Sequence, residues 1–170
     1  MSEARLTSTF ATIRSATPAD VPRIHALLLE LADYERLTHA VQATAASLHE
    51  ALFGSQPVAE SIVADVGGSL VGYAVYFTTY STFVGKPNIY LEDVYVQPPA
   101  RGRGVGKQLV AAVAAQAVDR GCGRMEWAVL DWNQPSIDFY QRIGAMPLSD
   151  WTAYRITGSD LAGLARSLVT

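Results

Sequence analysis

The stretch Tyr90–Gly106 reads YLEDVYVQPPARGRGVG and joins three kinds of local structure. A β-prone run over residues 89–96 ends before two prolines, three alternating glycines follow, and a long helical pattern begins at Lys107. Glycines let the main chain approach a ligand closely, and the unpaired N–H groups of a first helical turn bind anions. The stretch therefore predicts a strand, a turn and a helix N-terminus that together hold a phosphate-bearing ligand.

The composition predicts one globular domain. With 170 residues, of which 49% are hydrophobic, the chain can build one full-sized core. We expect a flexible leader over residues 1–11 and a single domain over residues 12–170. A net charge of −3, with no long basic run, argues against a nucleic-acid partner.

The sequence predicts neither a membrane protein nor a metalloprotein. The N-terminus lacks the apolar region of a signal peptide, and the longest strongly apolar stretch, residues 109–118, is too short to cross a bilayer. We therefore expect a cytoplasmic protein without a membrane partner. Cys122 is the only cysteine, so no internal disulfide is possible, and the three histidines follow no metal-ligand spacing. We expect no metal.

The hydrophobic periodicity alternates between helical and strand-like along the chain. In chain order it predicts a strand over 11–15, a helix opened by Thr17 at its N-cap and ending near Tyr34, a helix over 45–53, strands over 61–66, 70–79 and 89–96 with a loop over 80–88, a helix over 105–120, a strand over 124–130, a helix over 136–143, a strand over 151–157 and a C-terminal helix capped by Ser159. Gly67-Gly68 predicts a hairpin turn. This order predicts an α/β domain with a mixed sheet.

The glycine-rich segment fits one of three phosphate-binding motifs. A Walker A loop requires Ser or Thr after its lysine, but Gln108 follows Lys107. A dinucleotide fingerprint requires glycine where Lys107 stands and an acidic residue about 20 residues further on. The third pattern, (Arg or Gln)-x-x-Gly-x-(Gly or Ala), is satisfied by Arg101, Gly104 and Gly106. Placed after a strand and before a helix, it resembles the pyrophosphate loop of the GNAT superfamily of CoA-dependent N-acetyltransferases.

A second segment strengthens this resemblance. Residues 131–145 read DWNQPSIDFYQRIGA and look like the second CoA-binding segment of that superfamily, with Asn133 at a strand end and Tyr140 in the following helix. YLEDVYV, RGRGVG and WNQPSIDFY together resemble the branch that contains spermidine/spermine and thialysine N-acetyltransferases, and the likeness covers most of residues 13–160. It implies a GNAT-like domain with a mixed, mostly antiparallel central sheet flanked by helices. It also implies acetyl-CoA as co-substrate and a homodimer whose partner subunit helps to build the substrate pocket.

The resemblance implies roles for individual residues. Acetyl transfer to an amine requires deprotonation of the amine, stabilisation of the developing oxyanion and protonation of the leaving thiolate. Glu92 is the candidate base, acting through a water, and attraction of a cationic substrate is its alternative role. The backbone N–H of Val94 or a neighbour is the candidate oxyanion donor. Tyr140 is the candidate proton donor. A phenol with an ordinary pKa of about 10 is able to protonate a thiolate whose conjugate thiol has a pKa of about 8.5, although this transfer is slightly uphill.

The implied binding residues form two groups. The resemblance assigns acetyl-CoA binding to Val94, Tyr95, Val96, Arg101, Gly102, Arg103, Gly104, Val105, Gly106, Lys107, Asn133, Ser136 and Tyr140. It assigns amine binding to Tyr34, Glu35, Glu92, Asp93, Glu126, Trp127 and Ala128. On a regular strand Glu92 and Asp93 face opposite sides, so they form no pair unless a bulge re-aims one of them.

The amine substrate is predicted only as a class. Residues 36–39 read RLTH where polyamine enzymes of this branch carry further acidic residues, and Ser81-Thr82-Phe83 stand where those enzymes place an aspartate before an aromatic residue. A long polycation needs several spaced carboxylates. We therefore expect a short diamine or an amino acid with a side-chain amine, such as thialysine. The alternatives are a peptide or protein amine acetyltransferase and a catalytically silent acetyl-CoA-binding regulator.

Overall fold

The structure is a computed structural model that describes residues 10–168. Of the leader predicted over residues 1–11, residues 1–9 therefore lie outside the described part of the chain. The helices and strands are β1 Thr12–Ser15, α1 Val21–Tyr34, α2 Ala45–Phe53, β2 Glu60–Val66, β3 Ser69–Ser81, β4 Lys86–Val96, α3 Val105–Asp119, β5 Met125–Glu126, α4 Gln134–Arg142 and α5 Gly158–Arg166. Two compact units result: one ends at Trp132 and holds the sheet, and the other begins at Asn133.

The sheet has five strands in the order β1-β2-β3-β4-β5. The first four strands pair antiparallel with their neighbours, and β5 lies parallel to β4. Gly67 and Gly68 make the turn between β2 and β3, with φ of 60° and 88°, which other residues rarely adopt. The α/β fold with a mixed, mostly antiparallel sheet is thus confirmed.

Helices α1 and α3 cover opposite faces of the sheet. Ile24 and Leu27 of α1 are fully buried in a core that includes Tyr73 and Tyr95. Side chains alternate along a strand, so Gly72, next to Tyr73, faces the other side. A Cβ added at Gly72 would meet the Leu109 side chain of α3 at 3.3 Å, which places α3 on that other face.

Three of the predicted elements are wrong at the level of hydrogen bonding. The loop predicted over 80–88 is mostly strand, because β3 and β4 continue pairing to Ser81 and Lys86 and only residues 82–85 remain as the turn. The strand predicted over 124–130 shrinks to Met125–Glu126, since only these two residues pair with β4. Residues 151–157 are β-prone, but they form no strand within the described chain. β-propensity produces a strand only where a neighbouring strand is available to pair with, and residues 151–157 have no such neighbour within the described chain.

The cap of the last helix also differs from the prediction. Helix α5 begins at Gly158 with Thr157 as its N-cap, so Ser159, the predicted cap, lies inside the helix. The predicted start of α1 is close to correct. Thr17 precedes a short 3₁₀ turn that continues into α1, and its backbone N–H donates to the Asp20 carboxylate at 2.8 Å.

Candidate active site

Strand β4 is open along half of its length. It pairs with β5 only where Ile89 faces Met125 and Tyr90 faces Glu126. Beyond Tyr90, no strand among residues 10–168 pairs with β4 on the side away from β3. Residues 91–96 therefore present an edge without a strand partner, and we call the space beside this edge the gap. An extended ligand could hydrogen-bond to that edge.

The alternation of hydrogen bonds identifies which backbone groups face the gap. The backbone N–H of Gln97 donates to the carbonyl of Val71 at 2.8 Å, so these two residues form a hydrogen-bonded pair. In an antiparallel ladder such pairs alternate with non-bonded ones, which makes Tyr95 and its partner the next bonded pair. The N–H and C=O groups of Val94 and Val96 therefore point into the gap. The Val94 N–H thus points into the gap, where it could donate to an oxyanion of a bound ligand. That role stays a prediction.

The glycine-rich loop carries the chain from the open edge of β4 into α3. Gly102 and Gly104 have φ of 73° and 81°, and Gly104 is the N-cap of α3. A Cβ at either position would meet nothing within 4 Å, so glycine is required by the backbone conformation and not by crowding. The amides of the following turn, from Val105 to Lys107, have no helical acceptor and can face an anion.

Arg101 is held by the protein on three sides. Its Nε donates to the carbonyl of Val96 at 2.7 Å, and its guanidinium lies over the rings of Tyr34 and Tyr95, at 5.2 and 5.5 Å from their centroids. Arg103 lies over the Phe10 ring at 4.3 Å. The sequence suggested phosphate contacts for both arginines. It gave no signal for these aromatic partners, which are distant along the chain.

A β-bulge at Glu92 changes the direction of the carboxylates on β4. Asp93 lies opposite Val75 and Leu91 lies opposite Tyr76, which leaves Glu92 as an extra residue without a partner on β3. Asp93 faces α1 together with Val75, and Leu91 faces the opposite side. The strand is therefore irregular at the point where a regular strand would have separated the two carboxylates.

Asp93 is the most perturbed of the predicted site carboxylates. Its pKa is raised from 3.8 to about 6, chiefly by burial and in addition by the charges of Glu92 and Glu35. The Tyr73 hydroxyl donates to Asp93 at 3.3 Å and opposes this shift. Burial also raises the pKa of Glu35, at the end of α1. Glu35 and Glu92 thus both lie within electrostatic range of Asp93, and no salt bridge among the described residues involves any of the three.

Tyr34 is the last residue of α1 and directly precedes Glu35. The centroid of the Tyr34 ring lies 5.9 Å from that of the Trp132 ring. The guanidinium of Arg36 also lies over the Trp132 ring, 5.8 Å from its centroid. Arg36 has a φ of 61°, the only positive value outside glycine among the described residues. This left-handed conformation ends α1 and turns the chain sharply.

The predicted amine-binding residues on β5 and after it are less concentrated. Glu126 faces Tyr90 across the parallel pair and forms a salt bridge with Arg124 at 3.1 Å. This contact partly offsets its charge, so Glu126 offers less attraction to a cation than Asp93 or Glu35. Trp127 is half-buried and Ala128 is exposed.

The second unit carries the other predicted cofactor segment. Asn133 is 4% exposed, and its side-chain oxygen accepts the backbone N–H of Ser136 at 3.4 Å as the N-cap of α4. Pro135 occupies the first turn, where its missing N–H costs nothing. Tyr140 is half-buried in α4, with its ring 5.3 Å from that of Phe139. The sequence therefore predicted this helix, which begins two residues earlier than expected, but the placement of Asn133 at a strand end is wrong, because β5 already ends at Glu126 and Asn133 instead caps α4.

Neither a metal-binding cluster nor a membrane-spanning helix occurs among the described residues. Within residues 10–168, no group of three or more His, Cys, Asp or Glu side chains is arranged to hold a metal ion. No helix in the same range is long and apolar enough to cross a membrane.

Comparison with known proteins adds independent information. The model of the acetyltransferase (GNAT) family matches residues 22–145. Thialysine N-epsilon-acetyltransferase of Bos taurus is 38% identical over 167 residues, 92% of this chain and 98% of that protein. L-ornithine N5-acetyltransferase of Arabidopsis thaliana is 34% identical over 91% of this chain and 88% of its own length. An integron cassette protein from the mobile metagenome of V. cholerae has a TM-score of 0.77 and 25% identity, over 92% of this chain and 98% of its own.

Proposed function

This chain belongs to the acetyltransferase (GNAT) family, and on that premise we propose that it transfers the acetyl group of acetyl-CoA to a primary amine of a small cationic substrate. The observation that carries the proposal is the continuity of the open edge of β4 with the glycine-rich loop and the start of α3. A pantetheine arm with a pyrophosphate at its end needs these two features in sequence: an edge for its amides and a cluster of amides for its charge.

Each proposed role follows from the chemistry of the side chain and its surroundings. Acetyl-CoA supplies the thioester. The amides from Gly102 to Lys107 bind the pyrophosphate, and the Val94 N–H stabilises the oxyanion of the tetrahedral intermediate. Glu92, exposed on its bulge, takes the proton of the amine through a water, and Tyr140 returns a proton to the thiolate.

For the amine, we propose an amino acid with a side-chain amine, or a short diamine. The proposed pocket offers Glu35, Glu92 and Asp93 in one group, which suits one ammonium better than a chain of several spaced ones. Relatives that act on thialysine and on L-ornithine are similar to this chain over about nine-tenths of its length, which favours the amino-acid class.

The direct test is a thiol-release assay with acetyl-CoA and a panel of amines, combined with calorimetric titration of acetyl-CoA. We expect turnover with thialysine, ornithine, lysine or a short diamine, and weaker turnover with spermine. Turnover on peptides alone would refute the proposed substrate class. Acetyl-CoA binding without turnover on any amine would refute the enzymatic role and favour a regulator.

We also propose that the protein works as a homodimer. Residues 146–156 expose several large apolar side chains, and residues 151–157 are β-prone without a strand partner in the described chain. Trp151 is 73% exposed and Tyr154 is 94% exposed. A second copy would cover this apolar surface and supply the missing hydrogen bonds of the segment.

Replacing both Trp151 and Tyr154 by serine is expected to convert the dimer into a monomer, because the two side chains are the largest apolar groups of that segment. Size-exclusion chromatography with light scattering measures the change. The control is Val118→Ser, which removes an apolar side chain that is 77% exposed on α3 and should leave the mass unchanged. A monomeric wild-type protein at micromolar concentration would rule out the dimer.

A further inference from the structure

Five side chains from four segments of the chain form a continuous stack of two guanidinium groups and three aromatic rings. In spatial order it consists of Arg36, Trp132, Tyr34, Arg101 and Tyr95. The neighbouring contacts measure 5.8, 5.9, 5.2 and 5.5 Å. The stack joins β4 and the glycine-rich loop to the end of α1 and to the turn after β5, which are distant from them in sequence.

Arg101 is the member of the stack that belongs to the cofactor loop. Its planar group meets two rings, while its Nε donates to the Val96 carbonyl, one of the groups that face the gap beside β4. A lysine cannot reproduce this arrangement, because an ammonium has no plane to stack and no Nε at that depth. The guanidinium therefore acts as a fixed spacer between β4 and α1.

Tyr34 is the member that reaches the amine end of the site. It directly precedes Glu35, whose charge lies within range of Asp93, and its ring is held between Arg101 and Trp132. Tyr95 is anchored in turn, since its hydroxyl donates to Glu30 of α1 at 3.3 Å. A shift of the Arg101 loop therefore moves the ring of Tyr34 through direct contact.

We infer that Arg101 is a positioning residue that couples acetyl-CoA binding to amine binding through Tyr34. Pyrophosphate binding holds the loop, and with it Arg101, in the arrangement described here, and Arg101 in turn holds the aromatic wall of the amine pocket. Coupling of two binding equilibria is reciprocal, so each ligand tightens the other by the same factor. The inference rests on the proposed function, because it takes Tyr34 as part of the amine pocket.

The test uses Arg101→Lys and Tyr34→Leu, singly and together, in the full-length chain. Calorimetry gives the Kd of acetyl-CoA, and thiol release gives the KM of the amine that the wild-type protein turns over best. Each single substitution is expected to raise both constants, about fivefold to tenfold, because each removes the same contact. The double variant is expected to raise each constant no further than the single variant with the larger effect on that constant.

Arg103→Lys is the matched control, because this guanidinium lies in the same loop but over Phe10, away from the stack. It is expected to raise the Kd of acetyl-CoA and to leave the KM of the amine unchanged. The inference is overturned if Arg101→Lys behaves like Arg103→Lys, if Tyr34→Leu changes only the amine constant, or if the two single effects add in full. A thermal unfolding curve for each variant verifies that it is folded.

Failure of the proposed function would look different. In that case no amine is turned over by the wild-type protein, whereas the Kd of acetyl-CoA remains measurable. Weaker acetyl-CoA binding by Tyr34→Leu would then still support the contact between α1 and the loop. Unchanged binding by that variant would overturn it, even if Arg101→Lys does not fold.

Discussion

Replacing Tyr140 by phenylalanine is expected to lower kcat by roughly 10²–10⁴-fold while the affinity for acetyl-CoA changes little. The substitution removes one hydroxyl and keeps the ring that packs against Phe139 in α4. If Tyr140 protonates the leaving thiolate, the loss falls on the chemical step and not on binding. Steady-state thiol release gives kcat, and calorimetry gives the Kd of acetyl-CoA.

The matched control is Tyr80→Phe, which removes the hydroxyl of a side chain that is 66% exposed at the end of β3. It should leave kcat unchanged. A Tyr140→Phe variant with full turnover would remove this residue from the mechanism. A variant with normal kcat but weakened acetyl-CoA binding would reassign the hydroxyl from proton transfer to cofactor binding.

Much of the fold was predictable because its signals are local. Three of these signals are the Gly67-Gly68 pair between two β-prone runs, the proline turn before α1 and the glycines around α3. In each of them the residue types themselves restrict the backbone to the observed conformation. The loop predicted over 80–88 failed because two strands continued to pair past residues with weak strand propensity. The strands predicted over 127–130 and 151–157 are absent for the opposite reason, since these β-prone residues have no strand partner within the described chain.

The candidate site divides in the same way. The glycine-rich loop and the helix after Asn133 could be predicted, because both depend on residues that are adjacent in sequence. The bulge at Glu92 could not, because it is defined by the register with β3. The partners of Arg101 come from α1 and β4, and no short-range pattern relates them. Sequence therefore predicted the backbone of the proposed cofactor end better than that of the proposed amine end.

The bulge gives Asp93 a role that neither strand alone would suggest. It turns this carboxylate towards α1, where burial and the charges of Glu92 and Glu35 act on it. A buried carboxylate without a cationic partner costs folding free energy, and such costs are typical of binding and catalytic sites. The arriving ammonium group would supply the missing partner.

This cost has a defined dependence on pH. The pKa of Asp93 is about 6 in the folded protein against an ordinary 3.8, so the folded state holds a proton that the unfolded chain releases between about pH 4 and pH 6. The stabilising contribution of this proton is complete below about pH 4 and is lost as pH rises through 6. The difference corresponds to at most about 3 kcal/mol, and screening of a half-buried group reduces it to about 1–2 kcal/mol.

Asp93→Asn is therefore expected to be more stable than the wild type by about 1–2 kcal/mol at pH 8 and equally stable at pH 4, because asparagine resembles the protonated acid and still accepts from Tyr73. Urea unfolding at both pH values measures this difference in stability, and the KM of the amine should rise because the substrate loses a counter-charge.

Asp20→Asn is a control that is expected to change the stability in the opposite direction. The hydrogen bonds and charge of Arg14 lower the pKa of Asp20 below its ordinary 3.8, so its loss should destabilise the protein to nearly the same extent at pH 8 and at pH 4, and the effect should fade only below pH 4. An Asp93→Asn variant that is less stable at pH 8 would mean that the carboxylate is favourably paired, and the assignment of Asp93 to an unpaired, substrate-facing role would fail.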